Sequence, residues 1–210
     1  MKAREMIAQG QSVIELTIGE HDIKTAPDIL QAMQRSANDG HTGYAPVPGT
    51  QGLREIVAAH HQTQAQVPTS AENVLITPGA QAALFAAHLA ACDPHDKALY
   101  IDPHYTTYPG MLRALSLNPV AIAAKASDGF QPNGASLNAA AQGAASLLIN
   151  SPNNPTGVVY GQETLEIIAD TCREHDLWLI SDEVYASQVW SGRHITPRSL
   201  PGMKERSLIV

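Results

Sequence analysis

Short apolar runs alternate with helical periodicity along most of the chain. Ser12 to Ile18 carries Val13, Ile14, Leu16 and Ile18, an extended segment stopped by Gly19. Pro27 suits a first helical position, and Ile29, Leu30 and Met33 follow at helical spacing. A loop with Gly40, Gly43, Pro46, Pro48 and Gly49 then leads to a helix from about Thr50, with Leu53, Ile56 and Val57 on one face. This loop is the expected seam between an N-terminal segment, residues 1–42, and a main domain, residues 43–210.

From Asn73 onward the rhythm is regular. Strands are predicted at Val74–Ile76, Ala98–Ile101, Val120–Ala123, Leu147–Ile149 and Leu177–Ile180, with helices at Ala80–Ala91, Thr106–Ser116 and Gln162–His175. In the last helix Leu165, Ile168, Ala169 and Cys172 form an apolar stripe. Strands this short and continuously apolar suit a sheet covered on both faces. Their alternation with helices implies an α/β fold with a mostly parallel sheet, because parallel neighbours need crossover connections. Ser207 to Val210 reads as the start of one more strand.

Composition narrows the class. In 210 residues, 44% hydrophobic and 16% charged, there is enough apolar material for a core. A net charge of −7 offers no basic surplus for nucleic acid or an anionic membrane. Cys92 and Cys172 lack C-x-x-C spacing and read as small buried apolar groups in a reducing compartment. Neither a signal peptide nor a membrane span is visible, so a cytoplasmic location is expected.

In an open parallel sheet, ligands bind beyond the carboxyl ends of strands. After Val74–Ile76 comes Thr77-Pro78-Gly79-Ala80-Gln81, a glycine opening a helix whose free N–H groups favour an anion; a tight β–α turn explains it equally. Neither G-x-G-x-x-G nor G-x-x-x-x-G-K-[ST] is present. After Ala98–Ile101 come Tyr105 and Tyr108, aromatics that either lie over a planar ligand or fill core. Asn150-Ser151-Pro152-Asn153-Asn154-Pro155-Thr156-Gly157 makes a rigid turn that also presents the Asn154 amide. Asp182 directly follows Leu177 to Ser181 and should be at least partly buried, which is costly without a cationic partner, yet no Lys or Arg adjoins it. If the strands ending at Asn154 and Asp182 are neighbours, the two residues lie roughly 5–10 Å apart and grip opposite edges of one ring.

With these motifs in order, the chain resembles the class I/II aminotransferases, pyridoxal 5′-phosphate enzymes of fold type I. The matching segments are Leu16-Thr17-Ile18-Gly19-Glu20, Gly43-Tyr44-Ala45-Pro46 through Gly49 to Leu53-Arg54, Thr77-Pro78-Gly79-Ala80-Gln81, and Pro103-His104-Tyr105. Asn153-Asn154-Pro155-Thr156-Gly157 and Ser181-Asp182-Glu183-Val184-Tyr185 complete the set and are the most specific. The resemblance implies a three-layer large domain, incomplete, with residues 1–42 bordering a small domain. It implies that backbone N–H groups of Gly79, Ala80 and Gln81 hold the cofactor phosphate, that Tyr105 stacks on the pyridine, and that Asn154 and Tyr185 bond its ring oxygen. Asp182 would pair with the pyridine nitrogen, and Gly19 and Asn154 would meet the substrate carboxylate. Tyr44 would reach the phosphate of a partner subunit, implying a homodimer acting on an amino acid and a 2-oxo acid. His21 stands where many relatives have proline.

The family's Schiff-base lysine follows a strand like Ser207–Val210, and none of the five lysines, Lys2, Lys24, Lys97, Lys125 and Lys204, replaces it. The chain is therefore expected to be part of a longer aminotransferase, inactive alone. A C–S lyase of the same fold and a non-catalytic cofactor-binding module are the alternatives. His60-His61 reads as a solvated helical pair rather than a metal site, and Lys204-Glu205-Arg206 as a solvated loop.

Overall fold

In the computed structural model, five strands pair in parallel in the order β2-β1-β3-β4-β5. They are β1 (Lys97–Asp102), β2 (Asn118–Ala123), β3 (Ala144–Asn150), β4 (Trp178–Asp182) and β5 (Ser207–Ile209). The structure describes residues 2–16, 19 and 22–210. Thr17, Ile18 and Glu20 of the expected N-terminal motif, and His21 after it, lie outside the described residues. The chain divides into two units, Met1–Ala45 and Pro46–Val210. The first holds α1 (Lys2–Ala8), for which the pattern gave no signal, and α2 (Pro27–Asn38), which starts at Pro27 as expected and exposes Ile29, Leu30 and Met33.

The second unit carries the sheet together with α3 (Gln51–Ala65), α4 (Ala80–Ala91), α5 (Tyr108–Ala114), α6 (Gly134–Ala141) and α7 (Gln162–Glu174). Helices α5, α6 and α7 are the crossovers that parallel pairing demands. The chain runs from β1 outward to β2 and then returns past β1 to β3 and β4, so the direction of winding reverses between β1 and β3. In sheets of this kind the reversal opens a crevice at the carboxyl ends.

Strand alternation sorts the core into two layers. Leu99, Ile101, Leu147, Ile149 and Leu179 pack with Leu137 of α6 and Leu165, Ile168 and Cys172 of α7. Ala98, Tyr100, Leu148 and Ile180 pack on the other face with Leu84 of α4 and Tyr108, Met111 and Leu112 of α5. The α7 stripe is buried as its period predicts. Helix α6 escaped the pattern because GASLNAAA has little amphipathic contrast; its start is set by Asn133, whose side chain accepts from Ala135 N–H at 3.0 Å and Ser136 N–H at 3.2 Å.

Four expectations are corrected. Val74–Ile76 is extended but belongs to no strand: Ile76 N–H donates to Pro48 O at 3.0 Å and Val74 O accepts from Arg54 Nε at 3.0 Å, with no ladder beside them. Gly49 makes the first contact workable, since a Cβ there would come within 2.6 Å of Ile76 Cγ1 and its φ is +100°. Cys172 is buried, but Cys92 is only half-buried and donates to Ser146 Oγ at 3.3 Å. Of the His60-His61 pair, His60 is exposed as expected, but His61 is partly buried, with its Nε2 sealed from solvent, and burial lowers its pKa. Arg206 leaves the loop to donate to Asp176 at 3.0 Å and to the Cys172 carbonyl.

Candidate active site

The carboxyl ends of β1, β3 and β4, beside the reversal, and the turns beyond them deliver residues to one cavity of about 200 Å³. Tyr105 and Tyr108 follow β1, Asn150 ends β3, and Asp182 ends β4. Asn154, Val184 and Tyr185 come from the turns beyond β3 and β4, and Ala80, Gln81 and Leu84 from the first turns of α4. Of the residues expected at the site, Ala80, Gln81, Tyr105, Asn154, Asp182 and Tyr185 thus meet around one space, and Gly79 immediately precedes its helical wall.

Asn150 organises the strand ends. Pairing register sets it opposite Asp182. Its Nδ2 donates to the Asp182 carbonyl at 3.0 Å, and its Oδ1 accepts from the Asn154 N–H at 2.8 Å. One buried amide thereby fixes both the end of β4 and the turn that carries Asn154. The Asn154 side chain donates from Nδ2 to the Tyr185 hydroxyl at 3.3 Å, which leaves the phenolic proton available to the cavity.

Asp182 is 5% exposed. Its Oδ2 accepts from the Tyr108 hydroxyl at 2.6 Å and its Oδ1 from the Val184 N–H at 3.3 Å. None of the Lys or Arg residues in the described chain pairs with it, and none lines the cavity. Burial raises its pKa, the two hydrogen bonds pull it down, and the neighbouring Glu183 charge pushes it further up. Burial and the adjacent carboxylate hold the Tyr108 phenol far above its ordinary value, so it remains a donor. A dry carboxylate of this kind is matched by a ligand carrying a cationic N–H.

The opposite wall suits an anion. Gly79 precedes α4 with φ +90°, and its own N–H turns back to Thr77 O at 2.8 Å. The N–H groups of Ala80 and Gln81 lie in the first helical turn, where no intrahelical carbonyl is in reach. Gln81 Oε1 accepts from Thr107 Oγ1 at 2.7 Å, tying this helix start to the segment after β1. Tyr105, partly exposed, rims the cavity and stands edge-on to Tyr108 with ring centroids 5.8 Å apart. A carboxylate, an amide–phenol pair, an aromatic rim and a helix N-terminus together fit a flat heteroaromatic with a protonated ring nitrogen, an oxygen substituent and a phosphate arm.

Gly19 and Tyr44 lie in the first unit, both exposed there. Sequence reasoning overlooked Asn150 and Tyr108 as partners. Asn150 carried the same signal as Asp182, a polar residue ending an apolar run. Tyr108 is 74 residues from Asp182 and had no local signal for that bond.

Comparison with known proteins agrees with this geometry. The family model described as aminotransferase class I and II matches residues 11–209. An arginine–pyruvate transaminase of Pseudomonas aeruginosa is 34% identical over 207 residues, 98% of this chain and 53% of that protein. An aspartate/prephenate aminotransferase of Thermus thermophilus is 35% identical over 197 residues, 93% of this chain and 51% of that one. The solved structure of aspartate aminotransferase from Thermus thermophilus with maleate superposes with a TM-score of 0.94 at 34% identity, covering 99% of this chain and 54% of that one. The chain spans about half the length of the curated relatives it matches.

Proposed function

The chain belongs to the class I and II aminotransferases, and on that premise we propose that the whole protein moves an amino group between an amino acid and a 2-oxo acid with pyridoxal 5′-phosphate. The observation carrying this reading is the buried Asp182 carboxylate, which has hydrogen-bond donors but no cationic partner among the described residues. When bound, the cofactor supplies an electron-withdrawing ring that accepts the charge left as a substrate proton departs. Asp182 would keep a proton on the ring nitrogen, and Tyr108 would hold the carboxylate ionised and oriented. Asn154 and Tyr185 would bond the ring oxygen, Tyr105 would cover a ring face, and the turn at Gly79 with the N–H groups of Ala80 and Gln81 would hold the phosphate. Gly19 and Asn154 are assigned to the substrate carboxylate, and Tyr44 to the phosphate of a partner's site in a homodimer. Residues 43–210 are assigned to the cofactor-binding large domain and residues 1–42 to a segment bordering the small domain.

A C–S lyase would use the same cradle, but the similar proteins are named as aminotransferases, which favours amino transfer. The test is to incubate the full-length protein and pyridoxal 5′-phosphate with candidate amino acids, with and without a 2-oxo acid. Product formation that depends on the oxo acid is the expected result. Ammonia and pyruvate released from cystathionine without an oxo acid would overturn the reading in favour of the lyase.

A further inference from the structure

Asp182 and Glu183 are consecutive at the end of β4, and a pleated backbone sends successive side chains to opposite faces. Asp182 faces the cavity. Glu183 turns away from it and is just as dry, its side chain 7% exposed. No role assigned to the cavity uses this second carboxylate. Both of its donors come from the far end of the loop that follows β4: His194 Nε2–H reaches Oε2 at 2.7 Å, and Thr196 Oγ1–H reaches Oε1 at 2.9 Å. The other ring nitrogen of His194 is buried with no hydrogen-bond partner among the described residues, so the Glu183 bond orients the imidazole and places its proton on Nε2. His61 of α3 lies within electrostatic reach of both Glu183 and Arg198, and Arg198 Nη1 donates to Lys204 O at 2.9 Å.

Between the two ends of this contact the chain makes an excursion with little apolar anchorage; Val184 and Trp190 are exposed. Its first turn is closed by Ala186 N–H to Glu183 O at 2.8 Å, and Gln188 N–H continues to Tyr185 O at 2.8 Å. On the sheet side, Glu183 N–H is fixed to Val210 O at 2.7 Å. The segment that carries Tyr185, whose hydroxyl receives the Asn154 amide, therefore departs from Glu183, fixed on the sheet, and returns through His194 and Thr196, which donate to that same Glu183.

We propose that Glu183, His194 and Thr196 form a clasp that positions Tyr185, and through it Asn154, at the wall of the cavity; the proposal rests on the cofactor reading above. These are positioning residues, since they touch neither cofactor nor substrate. Pyridoxamine 5′-phosphate, which has no aldehyde to condense with a lysine, is the binding probe. The fluorine resonance of 3-fluorotyrosine at Tyr185, assigned by its loss in Tyr185→Phe, reports the ring without any ligand. In the full-length protein, His194→Leu is expected to weaken pyridoxamine 5′-phosphate about fivefold to tenfold and to shift or broaden the Tyr185 line. His194→Gln, whose amide can donate as Nε2 does, is expected to keep the affinity within about twofold and the line in place. Thr196→Val removes one donor at similar volume, is expected to cost about twofold to threefold, and carries the test if His194→Leu does not fold. An unmoved Tyr185 line in the donor-removing variants, or a His194→Gln that matches His194→Leu, overturns the clasp. Failure of the unsubstituted protein to bind pyridoxamine 5′-phosphate overturns the cofactor reading instead, and the Tyr185 line then decides the clasp alone.

Discussion

Along β3 and β4, the apolar core and the carboxyl end of the sheet are equally dry and thermodynamically opposite. Leu147, Ile149 and Leu179 are sealed under α6 and α7 by apolar neighbours, so their burial stabilises the fold. One residue beyond Ile149 lies Asn150, and the last residue of β4 is Asp182, both buried but polar. Asn150 recovers its cost through two hydrogen bonds within the chain. Asp182 recovers part of it, through Tyr108 and Val184, and its raised pKa records the remainder. Burial in the core thus serves folding, whereas at Asp182 it leaves an electrostatic demand that a ligand can meet.

The contrast is sharpened most by Ile168→Ala. Ile168 is fully buried on the α7 side, away from the cavity, and its truncation should destabilise the fold by about 3–4 kcal/mol. Urea denaturation should show that loss while pyridoxamine 5′-phosphate affinity, measured well below the unfolding transition, stays within about twofold. A large affinity loss would mean that core and cavity are not energetically separate.

Asp182→Asn should do the reverse. The amide keeps the shape and removes the charge, so binding should weaken by about 30- to 100-fold, in line with the loss of a charge-assisted bond. Without ligand, the variant should equal or exceed the parent in stability at neutral pH. Because burial raises the Asp182 pKa in the fold, this one carboxyl costs the fold least below the ordinary aspartate value of about 4. Its contribution to stability is then lost as pH rises through the higher folded value. The stability gained by Asp182→Asn should therefore grow over that window and then level off. A gain that shrinks as pH rises would show that the carboxylate is satisfied within the chain.

Tyr108→Phe acts on the same demand one step removed. Losing the 2.6 Å donor leaves burial less opposed, so the Asp182 carboxyl should titrate higher in ¹³C spectra and the probe should bind about fivefold to tenfold more weakly. An unchanged carboxyl titration would break the link between Tyr108 and the charge at Asp182.

The parts of this comparison differ in how far the chain announces them. Strands β1, β3 and β4 and the α7 stripe are legible because their apolar pattern is local and strong. Val74–Ile76 has the same apolar character, yet pairing depends on a neighbour that no local pattern contains. Helix α6 is nearly all small residues, so period carries no signal there and only the Asn133 cap marks it. At the site, Asp182 stands out as a polar residue at the end of an apolar run and Asn154 as an amide presented by a rigid turn, whereas Asn150, which ends its run as Asp182 does, is obscured by the asparagine-rich turn that follows it. The bonds of Tyr108 to Asp182 and of His194 to Glu183 are tertiary facts; residue type alone offers no way to choose those partners.

Among substitutions of cavity-lining residues, Asn154→Ala should have the smallest effect, and it discriminates most finely. The Asn154 backbone is held by Asn150, so removing its side chain leaves the turn in place, and stability should change by less than about 0.5 kcal/mol. Binding should weaken by about threefold to fivefold through loss of one neutral hydrogen-bonding group. Asn154 donates to the same Tyr185 hydroxyl that the Glu183–His194 contact is argued to position. If the two act through one ring, Asn154→Ala combined with His194→Leu should cost less than the product of the separate losses, because either change alone already frees Tyr185 from Asn154. Strictly multiplicative losses would place His194 and Asn154 on independent supports, and the wall of the cavity would then be held in two places rather than one.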